Sequence, residues 1–332
     1  MRPQLAAVAA TQHGIVTRRQ ALECGYNDDE IRGLVRDGTW TRVRRGAYAE
    51  THIWAALDDR GQHALLTRAV LLKVEPPAVA THCSSAALTE LPTWGTDLSR
   101  VHITRPLVHF GRIRAGVVHH EASIDPTDLI DVDGAPCTSP RRTALDVARE
   151  FGFEAGVVCA DAALRRAGSR EAADKQAMES LAESMSTWPG GRPVLPVVRF
   201  ADAGAESPGE SLARMFLVAI GLPVPRTQVV FRLGEFLARV DMLVDELGWV
   251  IEFDGRAKYR RKRDDCDPVV DDGDVVWAEK QREDRLRELP EVRAVSRLVW
   301  ADLFGVRRQA ATSRLWSTAE RLGGSARRRR TA

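Results

Sequence analysis

Residues 239–259 read RVDMLVDELGWVIEFDGRAKY, two apolar runs on either side of a turn-like DELG. Each run carries acids where a core strand ordinarily carries Val or Ile: Asp241 in the first, Glu252 and Asp254 in the second. Side chains alternate along a strand, so Glu252 and Asp254 share one face while Ile251 and Phe253 take the other. On the preceding strand Asp241 lies with Arg239 and Leu243, opposite Val240, Met242 and Val244. If Asp245 pairs with Gly248 across Glu246-Leu247, Asp241 falls directly opposite Glu252. A slip of one residue sets Asp241 against Phe253, among apolar side chains. The pattern selects the first register.

Two carboxylates facing each other across a sheet repel, which costs stability. A hard divalent cation, Mg²⁺ or Mn²⁺, removes that cost by taking carboxylate oxygens as ligands. With Asp254 at the strand end and Glu210 on a neighbouring helix, a metal-binding acidic corner is feasible. Such a metal polarises a phosphodiester and lowers the pKa of a bound water. The competing reading is the solvated face of an antiparallel sheet. The apolar setting of VIEFDG and the basic run that follows it (Arg256, Lys258, Arg260, Arg261, Lys262, Arg263) favour a site that meets phosphate.

Outward from this hairpin, 332 residues suit two or three domains. With 44% hydrophobic and 28% charged residues the profile is that of a soluble globular protein. Net charge is only +2, from 48 basic against 46 acidic residues, so local clustering has to carry any nucleic-acid argument. No apolar run is long enough for a bilayer and the amino terminus lacks a signal-peptide core, which points to the cytoplasm and to no membrane partner. Five cysteines without a CxxC pair argue against a zinc site or a disulfide framework. All eight histidines lie between His13 and His120, so the carboxyl-terminal half cannot build a histidine site of its own. His119-His120 reads as a surface or packing pair, for want of other spaced ligands.

The expected fold class is α/β, in three domains and a tail. Residues 1–50 read as a winged helix-turn-helix. An Ala-rich helix stops at Gly14, capping boxes at Thr17–Gln20 and Asn27–Glu30 open two further helices, and WTRVRRGAYAE forms a hairpin with Arg44-Arg45-Gly46 near its tip. Residues 51–204 read as a mixed α+β domain, in which Ser139 caps a helix with Pro140 at its first position. Residues 205–322 run helix, three-strand meander, helix, strand, helix, an α/β core; the charged segment Arg256 to Asp274 reads as a mobile loop. Residues 323–332, with RRRR at 327–330, read as a basic disordered tail.

The acidic hairpin, with Glu210 upstream and EKQREDRLREL downstream, resembles the PD-(D/E)XK nuclease superfamily. More narrowly, residues 205–305 resemble an uncharacterised domain related to very-short-patch-repair endonucleases. The resemblance implies a restriction-endonuclease-like core in which Glu210, Asp241 and Glu252 hold the metal and Asp254 assists. The family's usual lysine two residues after the second strand acid is Asp254 here, and Lys258 or Lys280 is the expected substitute. Glu279, Lys280, Glu283, Asp284 and Arg287 also suit ordinary i,i+4 pairs on a solvent-facing helix.

The stretch HGIVTRRQALECGYNDDEIRGLVRDGTWTRVRRGAYA resembles the winged-helix domain of AbiEi-type antitoxins. ATHCSSAALTELPTWG and TSPRRTALDVARE resemble the second domain of the same proteins. This implies DNA binding, repression of a neighbouring promoter, and a cognate toxin-like protein as a further partner. Arg18, Arg19, Arg32, Arg36, Arg42, Arg44 and Arg45 are the candidate DNA contacts, the wing arginines being placed for a minor groove. Asp28, Asp29 and Glu30 favour the helix dipole yet repel phosphate. Three functions therefore compete: a Mg²⁺-dependent endonuclease that binds DNA, a non-enzymatic antitoxin or repressor with a degenerate nuclease fold, and a protein-interaction adaptor.

Overall fold

Local hydrogen bonding sets the first elements. Thr17 Oγ1 accepts from Gln20 N at 3.2 Å while Gln20 Oε1 accepts from Thr17 N at 2.8 Å. Asn27 and Glu30 repeat the exchange at 2.9 and 2.8 Å. Orphan amides at both helix starts are thereby satisfied from within four residues of sequence. The computed structural model describes residues 1–105, 111–234, 236–255, 281–282 and 284–323. Lys258, Lys280, the segment Arg256 to Asp274 and residues 324–332 of the basic tail lie outside the described residues.

The chain divides into two compact units, Met1–Ala201 and Asp202–Ala332. The first opens with α1 (Pro3–Thr11), β1 (Ile15–Thr17), α2 (Arg18–Glu23), α3 (Asp28–Arg36), β2 (Trp40–Arg44) and β3 (Ala47–Glu50). Its three strands pair in the order β1-β3-β2, the sheet of a winged helix. Trp40 is buried at the centre of this module, its ring 5.3 Å from Tyr26 and 5.8 Å from Tyr48. Beyond α4 (Thr51–Ala56), helix α5 (Asp59–Leu71) lays Leu65 and Ala69 against Ile15, Ala47 and Ala49 of the winged-helix sheet. The module and the residues after it thus share a core.

The remainder of this unit is a six-stranded mixed sheet with helices. Its strands are β4 (Val79–Ala80), β5 (Val101–Thr104), β6 (Arg112–Arg114), β7 (Val117–His120), β8 (Leu129–Val132) and β9 (Ala135–Thr138). They pair in the order β6-β7-β5-β4-β9-β8, with β5 parallel to β7 and β4 parallel to β9. Helix α6 (His82–Leu88) is buried along its whole length. Its polar residues are hydrogen-bonded, as burial demands: Ser84 Oγ meets His63 Nε2 and accepts from His102 N, both at 2.8 Å, and Ser85 Oγ donates to the Thr138 carbonyl at 2.9 Å. Helix α7 (Pro140–Phe151) is capped by Ser139, whose side chain accepts from Arg142 N. Helices α8 (Phe153–Ala167), α9 (Glu171–Met185) and α10 (Val194–Phe200) complete the unit.

The second unit begins with α11 (Pro208–Ala219), followed by β10 (Arg226–Leu233), β11 (Phe236–Val244) and β12 (Trp249–Asp254) as an antiparallel meander. Helical residues 284–287 (α12) then lead to β13 (Ala294–Val299), which runs parallel to β12. The short α13 (Trp300–Leu303) and the long α14 (Gly305–Arg321) close the unit. The order of helix, meander, helical segment, strand and helix is the one expected from the sequence pattern. The hairpin register is also as expected: Met242 pairs with Ile251, Leu243 with Val250 and Val244 with Trp249, and its continuation sets Asp241 opposite Glu252. The turn is a 3₁₀ segment, Asp245–Leu247, ended by Gly248 at φ +55°, where a left-handed residue is needed. Arg226 holds both Asp245 oxygens at 2.6 Å and so ties β10 to the same turn.

Leu286, Leu289 and Val292 pack on Val240, Leu243 and Val250. On α11, Gly209 allows the helix to approach β12 closely, since a Cβ there would lie 2.0 Å from the Phe253 ring. Gly209→Ala should therefore cost the second unit about 1–3 kcal/mol despite its better helix propensity. Urea denaturation followed by circular dichroism reads the loss, and adding Phe253→Leu should recover part of it.

Candidate nucleic-acid interface and acidic corner

The wing folds Arg42 and Arg45 toward the amino-terminal end of α2. A cleft of about 730 Å³ results, lined by Arg18, Arg19, Arg42, Arg45 and Lys73 together with Thr17, Gly46, Tyr48 and Leu72. Arg19, Arg42 and Arg45 are exposed. Lys73 comes from the end of α5 and donates to the Arg45 carbonyl at 2.6 Å. Partial burial, then the charges of Arg44 and Arg45, hold its ammonium below the ordinary lysine value. An anion in the cleft would relieve that repulsion.

Four of the seven arginines expected to meet DNA line this cleft, and three do not. Arg44 extends its guanidinium to the Ala115 carbonyl at 3.3 Å and is partly buried. Arg32 pairs with Asp29 on the surface of α3, and Arg36 is exposed at the end of that helix. The acids that oppose phosphate are themselves partly neutralised. Asp28 takes two bonds from Arg18, at 2.7 and 2.5 Å, which hold its carboxyl below the usual range and raise the guanidinium. Asn27 and Glu30 are occupied by the capping exchange, and Glu30 also accepts from Arg2 at 2.7 Å. Lys73 escaped sequence reasoning because it lies well beyond the hairpin, just past the end of α5; only the docking of α5 brings it to the wing.

The acidic corner is built from α11, β11 and β12. Glu210 accepts from Glu206 N at 2.8 Å, Ser207 Oγ at 2.7 Å and Gln228 Nε2 at 3.1 Å. Burial, outweighing these bonds, raises its carboxyl above the ordinary value, and the charge of Asp241 acts in the same direction. Asp241 Oδ2 accepts from Phe253 N at 2.8 Å. Glu252 accepts from Arg282 at 2.8 Å, and Arg297 stands 3.8 Å from its other oxygen. Arg282 also donates to the Arg239 carbonyl at 2.7 Å, and Arg239 pairs with Glu206 at 2.9 Å.

This geometry departs from the expected metal site. Among the described residues, Glu210, Asp241 and Glu252 do not form a group whose ligand oxygens all lie within 4.8 Å; the group that meets that spacing is His82, His102 and His120. The repulsion that a cation was expected to relieve is instead relieved by Arg282 and Arg297. Position 254, where the family usually carries its lysine, is an aspartate at the end of β12. Of the two readings of His119-His120, packing holds for His120, which is half-buried against His82 and His102.

Comparison with known proteins bears on the first of these sites. Residues 3–51 match the AbiEi_4 family, described as "Transcriptional regulator, AbiEi antitoxin". Residues 3–51 are an AbiEi-type regulator domain. That span covers the winged helix, including Arg18, Arg19, Arg42 and Arg45 of the cleft, but stops short of Lys73. The longer chain is 29% identical over 225 residues to two proteins of Mycobacterium tuberculosis, the uncharacterized protein MT2308 of strain CDC 1551 / Oshkosh and the uncharacterized protein Rv2248 of strain ATCC 25618 / H37Rv. The match covers 66% of this chain and 75% of each of those. Among solved structures, the RV2827C protein from Mycobacterium tuberculosis shares 16% identity and a TM-score of 0.37, over 69% of this chain and 87% of that one. Among the described residues no helix is long and apolar enough to cross a membrane.

Two outcomes follow from the geometry. Replacing Arg42, Arg45 and Lys73 with alanine should reduce the slope of log K against log salt for duplex DNA by about 0.9 for each phosphate no longer neutralised. Arg44→Ala alone should leave that slope nearly unchanged. For the acidic corner, the folded-state pKa of Glu210 is raised above its unfolded value near 4.5. The folded protein therefore binds this proton more tightly, and stability falls as pH rises from the unfolded value through the raised one. Glu210→Gln removes that dependence, so wild type should lose stability relative to the variant as pH increases across that window. Thermal melts at matched pH values read the difference.

Proposed function

We propose that the chain is a DNA-binding transcriptional regulator whose winged helix grips the phosphate backbone through the basic cleft between its wing and the end of α5. The single observation behind this reading is the convergence of Arg18, Arg19, Arg42, Arg45 and Lys73 on one cleft. Cations from three successive pieces of chain, on a winged helix, suit backbone contacts that set register on a duplex. The affiliation of residues 3–51 supports the same reading. The family's description also names antitoxins, and a toxin-like protein is the second partner we infer for the chain.

The carboxyl-terminal unit enters this proposal as a scaffold with a nuclease-like order of elements. Phosphodiester cleavage needs an electrophilic cation aimed at the developing charge. Here the guanidiniums of Arg282 and Arg297 are directed at Glu252. We therefore assign this unit no Mg²⁺-dependent step.

The test is fluorescence anisotropy with the full chain, first on duplexes selected from a random library, then with EDTA and with Mg²⁺. Retention of selected duplexes in EDTA, with plasmid left intact in Mg²⁺, is the expected result. Mg²⁺-dependent cutting that disappears in Asp241→Asn would overturn the scaffold assignment. Equal affinity for DNA in wild type and the Arg42/Arg45/Lys73 triple variant would overturn the role of the cleft.

A further inference from the structure

The middle of the first unit contains a histidine cluster that the regulatory reading does not use. His82 opens α6, His102 lies on β5 and His120 ends β7. Parallel pairing of β5 with β7 sets Thr104 beside His120 and His102 beside Val118, which brings the two histidines together. His102 Nδ1 and His120 Nε2 lie 2.9 Å apart. The His82 ring stacks on His120 at 3.9 Å, with 20° between the planes. One ring nitrogen from each residue falls within 4.8 Å of the others.

From this convergence we infer that His82, His102 and His120 form a binding site for a borderline-soft divalent transition-metal ion, with Zn²⁺ as the representative ligand. In a tetrahedral zinc site, metal–nitrogen distances of about 2.0–2.1 Å place ligand nitrogens roughly 3.3–3.4 Å apart. The 2.9 Å contact between His102 Nδ1 and His120 Nε2 is a hydrogen bond that metal binding replaces, and the His82 ring must rotate out of its stack on His120 for its lone pair to face the ion. Imidazole selects zinc, copper or nickel over the hard cations that carboxylates prefer.

Three imidazoles leave a tetrahedral ion one position for water or an exogenous group.

Arg149 supplies the sharpest test. Its guanidinium meets His82 Nε2 at 3.2 Å and also lies over the Trp188 ring, 5.5 Å from the centroid. A guanidinium at that nitrogen opposes a metal both by occupying the lone pair and by charge. Buried Asp146 pairs with Arg142 at 3.1 Å rather than with Arg149.

The experiment uses the full chain without a histidine tag, stripped by chelator and titrated with Zn²⁺ by calorimetry and with Co²⁺ by visible absorption. The expected result is one equivalent bound, with the visible bands of a tetrahedral Co²⁺ complex. His102→Ala and His120→Ala, checked for folding by circular dichroism, should each weaken Zn²⁺ binding at least about tenfold, because each removes a direct ligand. Arg149→Gln should tighten binding by about tenfold or more, because a like charge is withdrawn; misfolding cannot produce that gain. Glu252→Gln should leave binding unchanged. The proposal is overturned if wild type takes up no Zn²⁺, if either histidine variant binds as well as wild type, if Arg149→Gln binds no more tightly, or if Glu252→Gln abolishes uptake.

Discussion

The apolar seam between α5 and the first sheet is the contact on which the basic face depends. Leu65 and Ala69 press on Ile15, Ala47 and Ala49, all buried. Small residues on the sheet side allow the helix to sit close, and burial of these aliphatic groups fixes where the helix ends. That end delivers Lys73 to the Arg45 carbonyl. A winged helix cut at the end of β3 would retain its three strands and lose both this seam and the fifth cation of the cleft.

Charge is managed in both units by the same means. The chain has 48 basic and 46 acidic residues, and much of that density goes to internal neutralisation. Arg18 takes Asp28 and Arg32 takes Asp29 on the winged helix, while Arg282 and Arg297 take Glu252 on the second sheet. Exposed pairs of this kind contribute little to stability. Their effect is on availability, because an arginine held by a carboxylate meets phosphate only by exchanging partners. Arg42 and Arg45, exposed on the wing, have no such carboxylate to displace among the described residues.

What was legible in the sequence was local or periodic. Both capping boxes are written in four residues each, and both form as read. The register of β11 against β12 follows from alternation, because one wrong step would bury an acid. Long-range encounters were not legible. Arg282 reaches Glu252 from a segment 30 positions away, and nothing in the pattern of either marks the other. His82, His102 and His120 meet only through a parallel strand pairing and a left-handed helix start, neither of which has a periodic signature. The six-strand order of the middle sheet was illegible for the same reason: its parallel pairs join strands that are not neighbours in sequence. The two lysines expected to complete a nuclease site fall outside the described residues.

The turn between β11 and β12 also guards the chain against mispairing. Its 3₁₀ segment and the left-handed Gly248 fix the pairing on which the acids' orientation rests. A one-residue slip of that pairing would set Asp241 among apolar side chains and turn buried Met242 and Val244 outward, so a well-defined turn disfavours a competing fold as much as it stabilises this one.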